Sequence, residues 1–236
     1  MKRQAHSKSL SPRKTETARF DRGAAPRLIG RLVRNLPAST AVVALLAIGG
    51  FSGGGALAGA PRFTLSSPDL ASGTFDKKFT LNAFGCTGSN LSPALQWSNL
   101  PAGTKSLALQ VQDKNATTDS GFWHWTVYNI PATVPGLPQG AGNSPTTLPA
   151  PAFGGANDFL DTGATGGNGN YGGPCPPIGD KPHRYTFTLY ALSVADVEAA
   201  SGIPKTGTAA LHSFILNKGL GEKVLGKASF VASYGR

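Results

Sequence analysis

The chain is short of the residues that announce most chemistries. It has only 2 cysteines, 1 methionine and 14% charged side chains in 236 residues. The cysteines, Cys86 and Cys175, form no Cys-x-x-Cys pair, which removes the usual basis for thiol redox catalysis or a structural zinc. Residues 59–236 hold no Gly-x-Ser-x-Gly elbow and no His-Glu-x-x-His helix motif, so the common serine-hydrolase and zinc-protease patterns are missing there. There is also no twin-arginine pair, no internal repeat and no sign of a second domain. The formal charge of +10 suggests nucleic acid until its distribution is read. Residues 1–58 carry ten Lys/Arg against Glu16 and Asp21, whereas the rest carries twelve against ten acids. The basicity belongs to the front of the chain, and nucleic-acid binding by the remainder loses its support.

That front reads as an export leader. From Asn35 to Pro61 no residue is charged, and Ala41–Ile48 is its apolar centre. A basic front, an apolar run and the small residues ending Ala56-Leu57-Ala58 make a secretory signal pattern with cleavage after Ala58. The division is thus a leader over 1–58 and one domain over 59–236. Without paired arginines the general secretory route is expected, and the compartment is periplasmic or extracellular. The alternative is an uncleaved membrane anchor, since roughly 20 apolar residues suffice to span. Against it, the window holds Gly49, Gly50, Gly53, Gly54, Gly55 and Gly59, each costly in a helix interior. An even cysteine count behind a signal peptide reads as one Cys86–Cys175 disulfide, with two separate buried thiols as the alternative.

What is abundant points to β structure. Gly 31, Pro 18 and 40% hydrophobic residues favour a mainly β, turn-rich domain with a real core over a helical bundle. Phe63–Ser67 and Phe79–Phe84 alternate as half-buried strands. Ser106–Asp113 alternates most cleanly and places Leu107, Leu109, Val111 and Asp113 on one face. After the loop 114–121, strict alternation over Phe122–Ile130 groups Phe122, His124, Thr126, Tyr128 and Ile130. An antiparallel hairpin would bring Asp113 and His124 together near its tip. The long Gly/Pro/Asn-rich stretch 131–182 is of the kind that is usually functional or disordered. Alternation returns at Tyr185–Leu192, and a strand extended back to His183 would aim that histidine with Tyr185. Val194–Ala200 predicts a short helix. A second helix begins at the N-cap Thr208, with Leu211, Phe214 and Ile215 over the sheet and His212 facing solvent. Trp97, Trp123 and Trp125 read as core. Asn157, Asp158 and Asp161 are better explained by loop chemistry than by calcium.

An acid, two imidazoles and a phenol at strand ends make a polar pocket or a self-satisfied polar knot. Histidines, a tyrosine hydroxyl and main-chain N–H groups of a Gly/Pro loop can each donate to an anion. Gly173 and Gly179 would allow unusual backbone angles there. Asp113 would orient and charge a histidine, or bind a ligand hydroxyl or ammonium.

Several separated blocks carry a family resemblance: Asn90-Leu91-Ser92-Pro93-Ala94-Leu95-Gln96-Trp97, Pro101–Ser106, His124–Pro131 and Gly172–Tyr185. Together, over nearly all of 63–236, the chain resembles the phosphatidylethanolamine-binding protein family, in its bacterial, Raf kinase inhibitor-like branch. The resemblance implies a large antiparallel sheet packed on a smaller one, with a few peripheral helices. It also implies an anion pocket at Asp113, His124, Gly173, Pro174, Pro176, His183 and Tyr185, without metal, cofactor or catalytic residues. One edge departs from the pattern: Asp113-Lys114-Asn115-Ala116-Thr117 stands where relatives often have Asp-Pro-Asp-Ala-Pro, so the rim is less acidic and less constrained. The expectation is a binding protein for a small anionic or phosphorylated head group. A protein-interaction module inhibiting a hydrolase or kinase is the second possibility. The third is an enzyme using Asp113, His124 and His183 as an acid–base or metal set.

Overall fold

A computed structural model describes residues 61–236; the leader and its cleavage site lie outside the described residues. Its strands are β1 (Thr64–Ser66), β2 (Leu95–Ser98), β3 (Ser106–Asp113), β4 (Phe122–Pro131), β5 (Gly136–Leu137), β6 (Phe153–Gly154), β7 (His183–Leu192) and β8 (Val224–Tyr234). A three-stranded sheet has the order β1-β2-β5, and a five-stranded sheet the order β6-β4-β3-β7-β8, with every pairing antiparallel. The main core lies against the inner face of the larger sheet. It joins Leu65, Leu95, Trp97 and Leu137 of the small sheet to Leu107, Leu109, Val111, Phe187 and Leu189 of the large one. This is the mainly β, two-sheet architecture with few helices that the composition and the resemblance implied.

β3 and β7 run in unbroken register from Ser106↔Leu192 to Asp113↔Tyr185. Side chains directly opposite on antiparallel strands share a face, so the Asp113 carboxylate and Tyr185 phenol are neighbours. His183 is one step along the same face. β4 is less regular than strict alternation predicts. Its register against β3 shifts between Val111 and Gln112 and again between Leu107 and Leu109. His124–Trp125 and Tyr128–Asn129 therefore span steps that β3 takes with one residue fewer, and Asn129 has φ 56°. Such bulges re-aim side chains. Ile130 stays in the main core, but Tyr128 turns to the outer cluster with Ala108 and Tyr190. The expected grouping of Phe122, His124, Thr126, Tyr128 and Ile130 on one face is thus wrong.

Two other expectations change. Phe79–Phe84 is not a strand: Lys77–Phe79 is a 3-10 turn, and the chain then runs irregularly to Phe84, 65% exposed with φ 53°. The alternation marked buried Phe79 and Leu81 correctly, but no neighbouring strand pairs with them. The helices are α1 (Val197–Ser201) and α2 (Ala209–Phe214), the second capped by Thr208 as predicted and followed by a π-helical turn, Ile215–Gly219. α2 buries Ala209 and His212, and leaves Leu211 and Phe214 exposed. The apolar stripe read from sequence holds at Ile215, buried in the outer cluster, but not at Leu211 and Phe214, and His212 lies inside, stacked on Tyr128 with centroids 4.4 Å apart.

Candidate functional site

The inner face of the sheet ends in a cavity of about 390 Å³. Its polar floor is Asp113, His124, His183 and Tyr185; its walls include Leu81, Phe84, Phe122, Phe159, Pro176 and Pro177. Of the residues expected at the site, Gly173 and Pro174 do not line the cavity. The Gly173 N–H donates to Asn90 Oδ1 at 2.7 Å, and Pro174 O accepts from Leu81 N at 3.1 Å. Gly173 is required by crowding rather than by backbone angle, because a Cβ there would stand 2.2 Å from Phe79 O. Gly179 does have the positive φ expected of a turn glycine, 90°.

The two imidazoles are held differently. His183 Nδ1–H donates to Asp113 Oδ2 at 2.6 Å, and its Nε2 lies 3.3 Å from Asp180 Oδ2. The other Asp113 oxygen accepts from Asn115 N at 2.8 Å, while Asn115 Oδ1 accepts from Arg184 N at 3.0 Å. Asp113 is therefore an orienting group for His183. Asn115, where the motif departs from its relatives, ties the β3–β4 loop to β7.

His124 Nδ1 is 2.8 Å from Gly172 O, and Gly172 N returns a bond to His124 O at 2.9 Å. A carbonyl only accepts, so Nδ1 carries the hydrogen. Nε2 has no hydrogen-bond partner among the described residues and is the ring nitrogen left for a ligand. The ring packs 5.1 Å from Phe122, 5.5 Å from Phe159 and 5.0 Å from Tyr185, centroid to centroid. Burial in this aromatic wall pulls the imidazole pKa down to about 4, although the Gly172 carbonyl and the Asp113 charge oppose it. At neutral pH His124 is uncharged and Nε2 is an acceptor. The Tyr185 phenol is pushed well above its ordinary pKa by burial and by Asp113. It stays protonated, and its hydroxyl also has no partner among the described residues. Asp158 on the cavity wall is raised by burial, opposed by the bond its Oδ2 accepts from Trp123 N at 2.8 Å.

The frame around this floor is covalent as well as hydrogen-bonded. Cys86 and Cys175 form the expected disulfide, with Cα atoms 6.0 Å apart. It joins the Phe84 loop to the 173–179 loop, so both sides of the cavity mouth are tied together. Arg236 donates to Pro176 O and Gly85 O across the same two loops.

Sequence reasoning missed Asp158, Asp180 and the role of Asn90. Asn90 Nδ2 donates to Tyr171 O at 2.9 Å while its Oδ1 holds Gly173 N. That clamp fixes the backbone whose Gly172 carbonyl selects the His124 tautomer. The only hint was the place of Asn90 at the head of a recurring block.

A sequence model of the family described as phosphatidylethanolamine-binding protein matches residues 71–232. The chain belongs to that family. Among relatives, the Escherichia coli protein YbcL is 43% identical over 160 residues, covering 67% of this chain and 81% of its own. The phosphatidylethanolamine-binding protein fold is seen again in the crystal structure of YbcL, with TM-score 0.65 and 38% identity over 75% of this chain and 99% of that one. A family homologue from Chlamydia trachomatis, CT736, has TM-score 0.55 and 27% identity over 74% and 97% of the two chains. A Mycobacterium tuberculosis protein whose name describes it as a lipoprotein, LppC, is 35% identical over 181 residues, 67% of this chain and 80% of its own. For this family member, the two-sheet frame and the Asp113–His183 and His124–Gly172 contacts set the geometry in which any ligand must fit.

Proposed function

We propose that the chain is an exported binding protein that receives a small anionic or phosphorylated head group in the cavity over Asp113, His124, His183 and Tyr185. One observation carries this reading. Two polar atoms left without protein partners, the Tyr185 hydroxyl and His124 Nε2, belong to the same cavity floor, beside an Asp113–His183 pair that already satisfies itself. A head group seated in the cavity can pair with both atoms at once. The apolar walls suit an aliphatic or aromatic body carrying the head group. Export is supported by the leader pattern, the disulfide and the lipoprotein relative.

The proposal is of binding without turnover, with no metal or cofactor. Phosphorylethanolamine at about 100 times its Kd should add about 2.7 kcal/mol of stability, raising Tm by about 5–10 °C at pH 6. Tyr185→Phe, at a cost of about tenfold in affinity, should lose about half of that shift. No shift with phosphorylethanolamine or inorganic phosphate, or steady release of phosphate from the former, would overturn the reading. A protein-interaction role for inhibiting a hydrolase or kinase is favoured by a different feature: Phe84, Leu160 and Ile178 are 65%, 53% and 80% exposed, on loops that also build the cavity wall. That role predicts a complex which survives Tyr185→Phe and fails when Phe84 and Ile178 become serine.

A further inference from the structure

We propose that His124 Nε2 acts as a hydrogen-bond acceptor toward the ligand, so that the site selects acids that still carry a proton: phosphomonoesters in preference to phosphodiesters and sulfate. The inference rests on the head-group reading above and names the substrate class of that same site.

The geometry begins with Gly172. Its carbonyl claims the Nδ1 hydrogen at 2.8 Å, and the reciprocal Gly172 N–H to His124 O bond, with the Asn90 clamp on Tyr171 and Gly173, leaves that carbonyl no freedom to turn away. A neutral imidazole has one donor nitrogen and one acceptor nitrogen, so the nitrogen available to a ligand presents a lone pair. An anion without hydrogen would set lone pair against lone pair. A phosphomonoester monoanion instead has a P–O–H group, which donates to Nε2 while its other oxygens accept from the Tyr185 hydroxyl. The proton is shared along that hydrogen bond and no covalent bond is broken.

The other imidazole nearby, His183, is held between the Asp113 and Asp180 carboxylates. From β3 the His124 imidazole faces Asp113, already bonded to His183; from β7 it faces His183 and Tyr185. From the loop after β6 comes Asp158, and the 171–177 segment brings only the Tyr171 phenol, which donates to Phe79 O at 2.8 Å. The cavity thus holds two carboxyl groups, one imidazole committed to a carboxylate, and one imidazole that burial keeps neutral. A phosphodiester or sulfate must first have His124 protonated, and its apparent affinity falls with the fraction of protein in that state. A phosphomonoester, whose second pKa is about 6, brings the proton itself.

Titration calorimetry of the intact mature chain with phosphorylethanolamine, glycerophosphorylethanolamine and sodium sulfate, from pH 5 to pH 7.5, tests this. At pH 6.5 the monoester should bind about tenfold or more tightly than the diester or sulfate. Diester and sulfate affinities should rise about tenfold for each pH unit lowered, with uptake of close to one proton, whereas the monoester should change little below about pH 6. His124→Gln places an amide donor near the Nε2 position and should abolish both the preference and the pH slope; Asp158→Asn should leave them. Equal affinities and equal pH profiles for monoester and diester, or a slope that follows Asp158 instead of His124, would overturn the inference while leaving head-group binding intact. Failure of all three compounds to bind at any pH would remove the head-group reading and this inference with it.

Discussion

Two buried histidines on opposite faces of one sheet show what separates a packed imidazole from an available one. His212 and His124 are both nearly inaccessible, at 1% and 5% exposure, and both are pulled below the ordinary imidazole pKa chiefly by burial. Both point Nδ1 at backbone carbonyls: His212 at Gly207 O and Thr208 O, His124 at Gly172 O. His212, however, lies flat on Tyr128 beneath α2, whereas His124 stands edge-on among three rings at the wall of a cavity. Burial and pKa alone do not mark a binding histidine. Nε2 has no hydrogen-bond partner among the described residues in either ring; what distinguishes His124 is the cavity that it lines together with the Tyr185 phenol.

The largest effect that can test this contrast is removal of the disulfide. Cys86 and Cys175 close a separation of 89 residues, for which chain entropy gives about 4–5 kcal/mol. Cys86→Ser with Cys175→Ser should lower Tm by roughly 10–15 °C. Below the new Tm, hydrogen exchange should accelerate in the 84–88 and 173–179 loops but not around His212. Equal loosening of both regions would mean that the bridge stabilises the whole domain without holding the cavity in shape.

Acidification ranks next. The unfolded His124 imidazole takes its proton near pH 6.5, and the folded one only near about 4. Between those values the unfolded chain binds more protons, so stability falls as pH is lowered through the window and the loss levels off below it. From pH 7 to pH 4.5 His124 should cost about 2–3 kcal/mol, read as a falling urea midpoint. His212 acts in the same direction. His124→Gln should flatten the dependence more than His212→Gln; the opposite order would show that the outer histidine is the more deeply desolvated.

Paired substitutions give the smallest and sharpest test. His212→Ala removes the ring stacked on Tyr128 and should cost about 2 kcal/mol in stability with no change in phosphate affinity. Tyr185→Phe should cost under about 1 kcal/mol in stability but about tenfold in affinity, the worth of one net hydrogen bond. Crossed results would make His212 part of a ligand site and Tyr185 a core residue.

The regular strands were readable because their environment is regular. β3 and β7 alternate without interruption, so side-chain period alone placed Leu107 to Asp113 on one face and His183 to Leu189 on another, and the two faces proved to be the same one. Reasoning failed where backbone departs from period. β4 contains two irregular steps: the one at His124–Trp125 puts Trp125 and Val127 in the main core and Tyr128 outside, and the one at Tyr128–Asn129 returns Ile130 to the core. The Phe79–Phe84 segment imitates a strand because it must bury Phe79 and Leu81, but burial does not require a partner strand. α2 has only six residues, too few for its pattern to fix rotation, and Tyr128 offered His212 a flat surface that local sequence does not reveal.

From the residues alone came the β class, the separation of a basic front from a nearly neutral domain, the disulfide pair and the four polar side chains of the cavity floor. These are properties of composition, spacing and recurring blocks, each legible along the chain. Which nitrogen of His124 is free, that Asp113 serves His183, and that Gly173 stands behind the cavity depended on the folded chain. Those outcomes are set by contacts between segments dozens of residues apart, such as the Asn90 amide fixing the backbone beside Gly172. A carbonyl oriented by a distant side chain has no signature in local sequence, yet it determines whether the cavity offers a ligand a proton or accepts one.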